Sequence, residues 1–318
     1  MAQRTTEPKT GRIAVLGAAS TAGAHLRAAL ADRGIPGARV ALFGRSRSVA
    51  VLSEYDGEAR LVQDAEELDA AACEAVFVCE PGVDGGRLAE AAASGTVVID
   101  MTGSIPAAAR IVSIPHPIAA MLFALVAPVH DAIGLTRVSA FITRPASDFG
   151  EPGLEELREQ TVHLLRFEPT PTEIFGRQLS FNVVPEHLFP ADEDRAGERI
   201  VRELKELLGA DAPELSLSQA LVPTFFGHGI AAHLALRRPA RDEALAAWAK
   251  AKGVQLATDP DVGATLDAPE SEALMITRVD VGDGSALRVW ALGSESGPAA
   301  AGAAVAAGAA AGVFVKRP

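Results

Sequence analysis

The first third of the chain alternates short apolar runs with stretches of helical composition. Apolar runs occupy 13–16, 39–43, 75–79 and 96–100, and a helical stretch from 24 to 33 follows the first of them. Such short runs predict buried strands, and strands that alternate with helices predict a parallel sheet covered on both faces. We therefore predict a doubly wound, Rossmann-type α/β domain with its ligand crevice at the carboxyl ends of the strands.

The pattern changes after this domain. The sequence predicts an apolar helix over 119–126, strands over 136–143 and 286–292, and a charged helix over 193–208. This mixture is typical of an α+β domain. The tail from 299 to 312, rich in Ala, Gly and Val, is predicted to be a closely packed helix rather than low-complexity chain.

These patterns divide the chain into three parts. We predict a first domain over 1–118, a second domain over 119–298, and a C-terminal segment, 299–318, that packs back on the first domain.

Composition and charge narrow the classes of function. The 318 residues are 48% hydrophobic and carry a formal net charge of −12, and the sequence contains no basic run interleaved with aromatics. Nucleic acid and anionic membranes are therefore disfavoured as partners, and a small-molecule ligand is favoured. With two cysteines and no Cys/His cluster, we expect no disulfide framework, no metal site and a reducing compartment. The apolar run at 13–16 is too short for a signal peptide or membrane span, so we expect a cytoplasmic protein.

A glycine-containing loop joins the first predicted strand to the first helix. In this loop Gly17 suits a tight turn, Gly23 suits close packing, and the helix N-terminus favours a pyrophosphate. Ser20 stands where many such loops have glycine, so a plain strand-to-helix turn remains the alternative. The predicted dinucleotide contacts are Gly17, Ala19, Ser20, Thr21, Ala22 and Gly23.

Two arginines and two hydroxyls follow the second predicted strand. Arg45 and Ser46, in Gly44-Arg45-Ser46-Arg47-Ser48, stand where an acidic residue would bind a ribose 2′-hydroxyl. A guanidinium group suits a 2′-phosphate, so we predict NADP(H) rather than NAD(H). The alternative is that these arginines are solvated loop charges.

The glycine loop and Gly44-Arg45-Ser46 resemble the aspartate-β-semialdehyde dehydrogenase family. The other segments that carry the resemblance are Val98-Ile99-Asp100, Ala127 to Gly134, Gly150 to Leu157, Phe181 to Pro185 and Val222 to Gly229. The resemblance implies NADPH-dependent reductive dephosphorylation of β-aspartyl phosphate to the semialdehyde, in amino-acid biosynthesis. It also implies a homodimer, or a dimer of dimers, formed through the sheet of the second domain.

The resemblance is weakest at the residues that carry the family's chemistry. Its nucleophilic cysteine falls on Pro117, which has no nucleophile, and its glutamine on Arg144. Its substrate arginine falls on Leu221, its phosphate-loop arginine near Pro106, and its nicotinamide-side asparagine on Ala303. The family's histidine is retained as His228, and Arg199 and Glu203 match its basic and acidic residues on the substrate side.

This pattern implies a family member that binds NADP(H) but is impaired in the phosphorylating reaction. The resemblance then leaves His228 as the retained catalytic residue and gives Arg144, Arg199 and Glu203 to a substrate. The alternative is an active NADP-dependent oxidoreductase that transfers a hydride directly to an aldehyde or semialdehyde, with His228 or His116 as proton donor. His228 could equally be an inherited residue with local hydrogen bonds, and His116 a turn residue.

The remaining candidate groups favour structural interpretations. Cys79 is expected to pack in the wall of the dinucleotide domain rather than to serve as a relocated nucleophile, and packing also accounts for Cys73. Glu155 and Glu156, and the charged run 193–206, are predicted to be solvated helix faces.

Overall fold

The chain divides into two compact units. The computed structural model describes residues 11–45, 49–190, 196–269, 273–282, 285–293 and 296–313. The first unit comprises Met1–His116 and Gly297–Pro318, and the second comprises Pro117–Ser296. Among the described residues, none of the helices is long and apolar enough to cross a membrane.

The helices and strands are numbered in chain order. The helices are α1 (Thr21–Asp32), α2 (Gly85–Ala93), α3 (Pro117–Ile133), α4 (Gly150–Leu165), α5 (Ala196–Leu208), α6 (Arg241–Lys250) and α7 (Ser296–Ala310). The strands of the first unit are β1 (Ile13–Leu16), β2 (Val40–Gly44), β3 (Leu52–Tyr55), β4 (Glu58–Leu61), β5 (Gln63–Asp64), β6 (Ala75–Val78), β7 (Val97–Asp100) and β8 (Ile111–Ser113). Those of the second unit are β9 (Leu135–Arg144), β10 (Val184–Pro185), β11 (Glu214–Leu221), β12 (His228–Leu236), β13 (Val254–Leu256), β14 (Leu274–Val281) and β15 (Ala286–Gly293).

A parallel sheet with helices on both faces forms the first unit, which confirms the predicted doubly wound fold. Its strand order is β5-β2-β1-β6-β7-β8, and all its paired strands are parallel. Alternate side chains of β1 enter different cores: Ile13 and Val15 pack in the core that includes residues of α1 and α7, whereas Ala14 and Leu16 pack in the core that includes residues of α2. This two-sided burial explains why the strands read as continuous apolar runs.

A seven-stranded mixed sheet forms the second unit, in the order β10-β11-β9-β12-β15-β14-β13. Strand β9 lies parallel to β11 and antiparallel to β12. One core packs alternate residues of the central strands, such as Ile142 and Ile230, with residues of α3, α5 and α6. The second predicted domain is thus confirmed as α+β.

Helix α3 is longer than the sequence pattern predicted. It extends from Pro117 to Ile133 instead of 119–126. Proline is well suited to the first helical position, because the N–H that it lacks would have no intrahelical partner there. At the other end the helix continues through Pro128, and Val129 in the following position is fully buried. Burial of the apolar face offsets the hydrogen bond that Pro128 cannot make.

Candidate functional site

The glycine loop after β1 is fixed by the strands on either side of it. Both Gly17 N and Ala18 N donate to the Phe43 carbonyl at 2.9 Å. Gly17 has φ +85°, a conformation that favours glycine. A Cβ on Gly23 would lie 2.2 Å from the Gly17 carbonyl oxygen, so α1 approaches the loop as closely as the dinucleotide fingerprint requires.

Ser20 replaces the usual middle glycine and caps α1. Its Oγ accepts a hydrogen bond from Gly23 N at 3.0 Å and donates to the Gly17 carbonyl at 2.7 Å. The N–H groups of Thr21 and Ala22 lie in the first turn, where no intrahelical acceptor exists, and Ala19 is exposed beside them. The first turn of α1 therefore presents backbone N–H donors of the kind that bind anions in other proteins, although a serine occupies the central position.

Arg45 extends from the end of β2 to the loop that follows β6. Its guanidinium donates to the Pro81 carbonyl at 2.7 Å and to the Gly82 carbonyl, and Nε lies 3.5 Å from Glu80 Oε1. A cavity of about 210 Å³ adjoins it, with Leu16, Leu68 and Leu88 among its apolar lining residues. Ser46 and Arg47 lie outside the described residues.

Asp100 organises the turn after β7. Its buried carboxylate accepts from Thr102 N at 2.8 Å and from Ile105 N at 3.0 Å, and Pro106 follows as an exposed residue. Where the resemblance aligns an arginine of the phosphate loop, the chain thus has a compact turn closed by its own aspartate.

In the second unit, α3 begins at Pro117, the position aligned with the nucleophile. Its Met121 lies close to the end of β15: a Cβ on Gly293 would lie 2.2 Å from Met121 Sδ and 3.7 Å from His228 Cβ. His228 thus lies beside the first turns of α3. The histidine and the nucleophile position belong to the same region of this unit.

His228 is part of a buried triad of polar side chains. Its Nε2 lies 3.0 Å from Asp148 Oδ1 and 3.2 Å from Oδ2, and Arg144 Nε donates to Asp148 Oδ2 at 2.7 Å. The side chains of His228, Asp148 and Arg144 are 0%, 4% and 4% exposed. Arg144 also lies over the Phe189 ring, 5.6 Å from its centroid.

The Asp148 carboxylate is the centre of this triad. Burial by itself would raise the pKa of Asp148, but the charges of His228 and Arg144, and the hydrogen bonds that they donate, together lower it well below its ordinary value. Arg144, which the sequence placed among substrate-binding residues, therefore has a buried carboxylate from its own chain as an ionic partner.

Close packing holds the histidine in place. Gly227 has φ +84°, and a Cβ there would lie 2.3 Å from the Thr265 carbonyl oxygen. A Cβ on Gly229 would lie 2.7 Å from both Thr143 Oγ1 and the Trp290 ring. Neither glycine accepts a side chain without displacement of backbone or ring, so the Gly-His-Gly segment has little freedom to reorient His228.

Arg199 and Glu203 form an ion pair on α5. Arg199 Nε donates to Glu203 Oε1 at 2.6 Å, and the two side chains are 18% and 8% exposed. The prediction that the run 193–206 is a solvated face is therefore wrong at Glu203, because α5 packs against α3 and β11. Residues 193–195 lie outside the described part of the chain.

Glu156 is the second carboxylate for which the predicted solvent exposure is wrong. It is buried rather than solvated, and it accepts hydrogen bonds from Ile174 N at 2.7 Å and Phe175 N at 3.0 Å. Its neighbour Glu155 pairs with Arg158 on the exposed face of α4, as the pattern predicted. Glu156 therefore holds a loop in place instead of contributing to a solvated surface.

The other positions singled out in the sequence lie in ordinary structural surroundings. Leu221 is fully buried at the end of β11, where it pairs with Arg144 of β9, and Ala303 is exposed on α7. Cys79 is buried with Sγ 3.8 Å from Met101 Sδ. Burial raises the pKa of the Cys79 thiol, and the carboxylates of Glu80 and Asp100 add to the effect, which opposes thiolate chemistry. Cys73 is also buried.

Comparisons with known proteins identify the family. A family model described as "Semialdehyde dehydrogenase, dimerisation domain" matches residues 126–294. Aspartate-semialdehyde dehydrogenase 2 of Vibrio cholerae is 24% identical, covering 87% of this chain and 90% of the relative. A USG-1 protein homolog of Azotobacter vinelandii is 27% identical with the same coverage.

Solved structures share the fold. The structure of a probable aspartate-semialdehyde dehydrogenase from Pseudomonas aeruginosa has a TM-score of 0.79 at 22% identity, covering 94% of this chain and 98% of that one. An aspartate semialdehyde dehydrogenase from Candida albicans, solved with NADP, has a TM-score of 0.65 at 16% identity, covering 95% and 99%. The chain therefore belongs to the semialdehyde dehydrogenase family, as the resemblance predicted.

Proposed function

We propose that this chain binds NADP(H) at the glycine loop and is impaired in the phosphorylating dehydrogenase reaction. The buried Arg144–Asp148–His228 triad carries the second half of this proposal. A histidine that serves a thiol must exchange a proton with it through one of its ring nitrogens. Here Nε2 faces Asp148, and the side chain as a whole, with Nδ1, has no exposed surface. Pro117, at the start of α3, supplies no atom to accept an acyl group.

The proposed cofactor contacts follow from the loop geometry. The backbone around Gly17, Ala19 and Gly23 and the first turn of α1, with Ser20, Thr21 and Ala22, would hold the pyrophosphate. Arg45, with Ser46, would hold the 2′-phosphate. When bound, NADPH supplies a hydride. The close Gly17–Gly23 approach supports this assignment, as does the relative solved with NADP.

This proposal assigns fewer residues to substrate binding than the sequence suggested. Arg199 and Glu203 remain the residues proposed to face a small ligand that carries a carboxylate. Arg144 is assigned to the triad, where it balances the charge of Asp148. His228 keeps its position in the fold, and we assign it a structural role.

We also propose a homodimer formed through the face of the second sheet opposite the one that packs on α3, α5 and α6. Phe141 is 42% exposed on β9, and Ala231 and Trp290 occupy the adjacent positions on β12 and β15. An apolar row of this kind suits an isologous contact with a second copy, and the matched dimerisation model supports it. Light scattering after gel filtration should give twice the chain mass, and Phe141→Glu should reduce it to the monomer mass.

Two measurements test the catalytic proposal. Titration with NADPH and NADH should show binding, with NADPH favoured. Incubation with aspartate semialdehyde, NADP and phosphate should give no phosphate-dependent NADPH. Turnover in that assay would refute the impairment, and NADPH oxidation with a panel of aldehydes would favour direct hydride transfer instead.

Pro117→Cys separates the two proposed causes of impairment, which are the missing thiol at position 117 and the burial of His228 in the triad. If the triad blocks proton transfer, the variant stays inactive although a thiol now starts α3, and Pro115→Cys serves as a matched control outside the helix. Phosphate-dependent activity in Pro117→Cys alone would show that His228 still serves a thiol, which would contradict the role assigned to the triad.

A further inference from the structure

Arg45 crosses the carboxyl end of β1 to reach its partners. Strand β1 lies between β2 and β6, yet the guanidinium that follows β2 binds the carbonyls of Pro81 and Gly82 beyond β6. A Cβ on Gly82 would lie 2.9 Å from Arg45 Nη2. The arginine proposed for the 2′-phosphate therefore spans the carboxyl end of β1 and is hydrogen-bonded to the loop after β6.

Glu80 supplies the negative charge in this arrangement. Its Oε1 lies 3.5 Å from Arg45 Nε, and the side chains of Arg45 and Glu80 are 44% and 20% exposed. The stem of Glu80 packs against the glycine loop, since a Cβ on Gly17 would lie 2.8 Å from Glu80 N, Cβ and Cγ. The Glu80 side chain thus extends from the glycine loop to the Arg45 guanidinium.

A bound 2′-phosphate would enter this charge pair as a competitor. A phosphate monoester carries about −1.5 to −2 charges at neutral pH, and its oxygens seek the N–H groups that now face Glu80 and the two carbonyls. The phosphate must either displace the carboxylate or lie beside it, and like charges at short range repel. A nucleotide with a free 2′-hydroxyl meets neither obstacle.

We propose that Glu80 is a specificity-determining residue that weakens the discrimination of Arg45 for NADP(H) over NAD(H). The inference rests on the proposed dinucleotide site and concerns its preference between NADPH and NADH. With the Glu80 carboxylate beside Arg45, the site prefers NADPH less strongly than the same site would without it. Removal of the carboxylate increases NADPH affinity and leaves NADH affinity unchanged.

The test is a calorimetric titration of NADPH and NADH into full-length wild-type protein and Glu80→Gln. The substitution keeps the shape of the side chain and removes one charge. We expect NADPH to bind about two- to fivefold more tightly to the variant, which spans the upper part of the range for one partly exposed ion pair, with NADH binding unchanged. On an Arg45→Ala background the same substitution should give no gain, because the two changes are coupled through one contact.

Glu66→Gln is the matched control, since it removes one exposed charge from the wall of the same cavity. An equal NADPH gain in this control would reduce the effect to general electrostatics and overturn the inference. Unchanged NADPH affinity in Glu80→Gln, with wild type binding normally, would overturn it while the dinucleotide site stands. If neither protein binds either nucleotide while both retain the same thermal transition, the proposed site itself is wrong and the inference falls with it.

Discussion

Asp148→Asn is the most direct perturbation of the buried triad. The substitution preserves the size of the side chain but leaves the Arg144 guanidinium without its counterion in a site where both side chains are 4% exposed. It also replaces one of the two oxygens that face His228 Nε2 at 3.0 and 3.2 Å with an amide nitrogen that donates instead of accepting. A buried cation is thereby left with only partial compensation.

The expected loss of stability is large because the Arg144 guanidinium stays buried. Removal of one partner of a buried ion pair costs about 3–5 kcal/mol. A unit of this size changes its melting temperature by about 2–4 °C for each kcal/mol, so the transition of the second unit should fall by about 6–20 °C.

Acid should remove the same contribution from the wild type. The folded pKa of Asp148 lies below its ordinary value, so the stabilisation is complete above the unfolded pKa of about 3.9 and is lost as the pH falls below that value. Asp148→Asn has no carboxyl to protonate at this position. Its stability deficit relative to wild type should therefore shrink progressively as the solution is acidified below that pKa.

Differential scanning calorimetry at neutral and acid pH measures both effects. Asp280→Asn is the matched control, because it makes the same chemical change in an exposed pair with Arg278. If Asp148→Asn unfolds at the wild-type temperature, or if its deficit is the same at both pH values, the assignment of Asp148 as the ionised centre of the triad is refuted.

Three further predictions concern other parts of the molecule. Gly23→Ala forces a methyl group against the glycine loop, and we expect a loss of about 1–3 kcal/mol and weaker NADPH binding, measured by thermal denaturation and calorimetry. Glu156→Gln weakens the hold on the loop at residues 174–175 and should cost about 1–3 kcal/mol in urea unfolding. Cys79 should resist a thiol reagent in native protein and react once the protein is unfolded, because it is buried and the pKa of its thiol is raised.

Each of these has a control and a contrary result. Gly85→Ala places its methyl group 3.6 Å from Pro106 Cδ, an ordinary contact, and should be neutral; equal losses in both glycine variants would remove the steric argument. Glu159→Gln changes an exposed carboxylate on the same helix, and amide exchange at Ile174 and Phe175 should rise only in Glu156→Gln. Rapid labelling of native Cys79 would show that the thiol is accessible.

The local sequence pattern predicted the helices and strands better than it predicted which residues contact each other in the fold. The apolar runs and the glycine loop specified the parallel sheet, because two-sided burial requires continuous apolar strands. The hairpin of β3 and β4 was missed, although Asp56-Gly57, both with positive φ, is a common hairpin turn. Glu156 was misread because its charge resembles that of its exposed neighbour, and only the course of the following loop brings two backbone N–H groups to it.

Residue identity and short-range periodicity are enough to specify the fold class, the family and the absence of a thiol at Pro117. The pairing of charged side chains, in contrast, depends on how distant segments fold together. Asp148 and His228 lie 80 positions apart, and Arg45 reaches carbonyls 36 and 37 positions away. Such pairs arise from strand order and close packing, and burial then gives each contact its energy. For that reason a histidine that resembles a catalytic residue in the sequence is the buried partner of an aspartate in the fold.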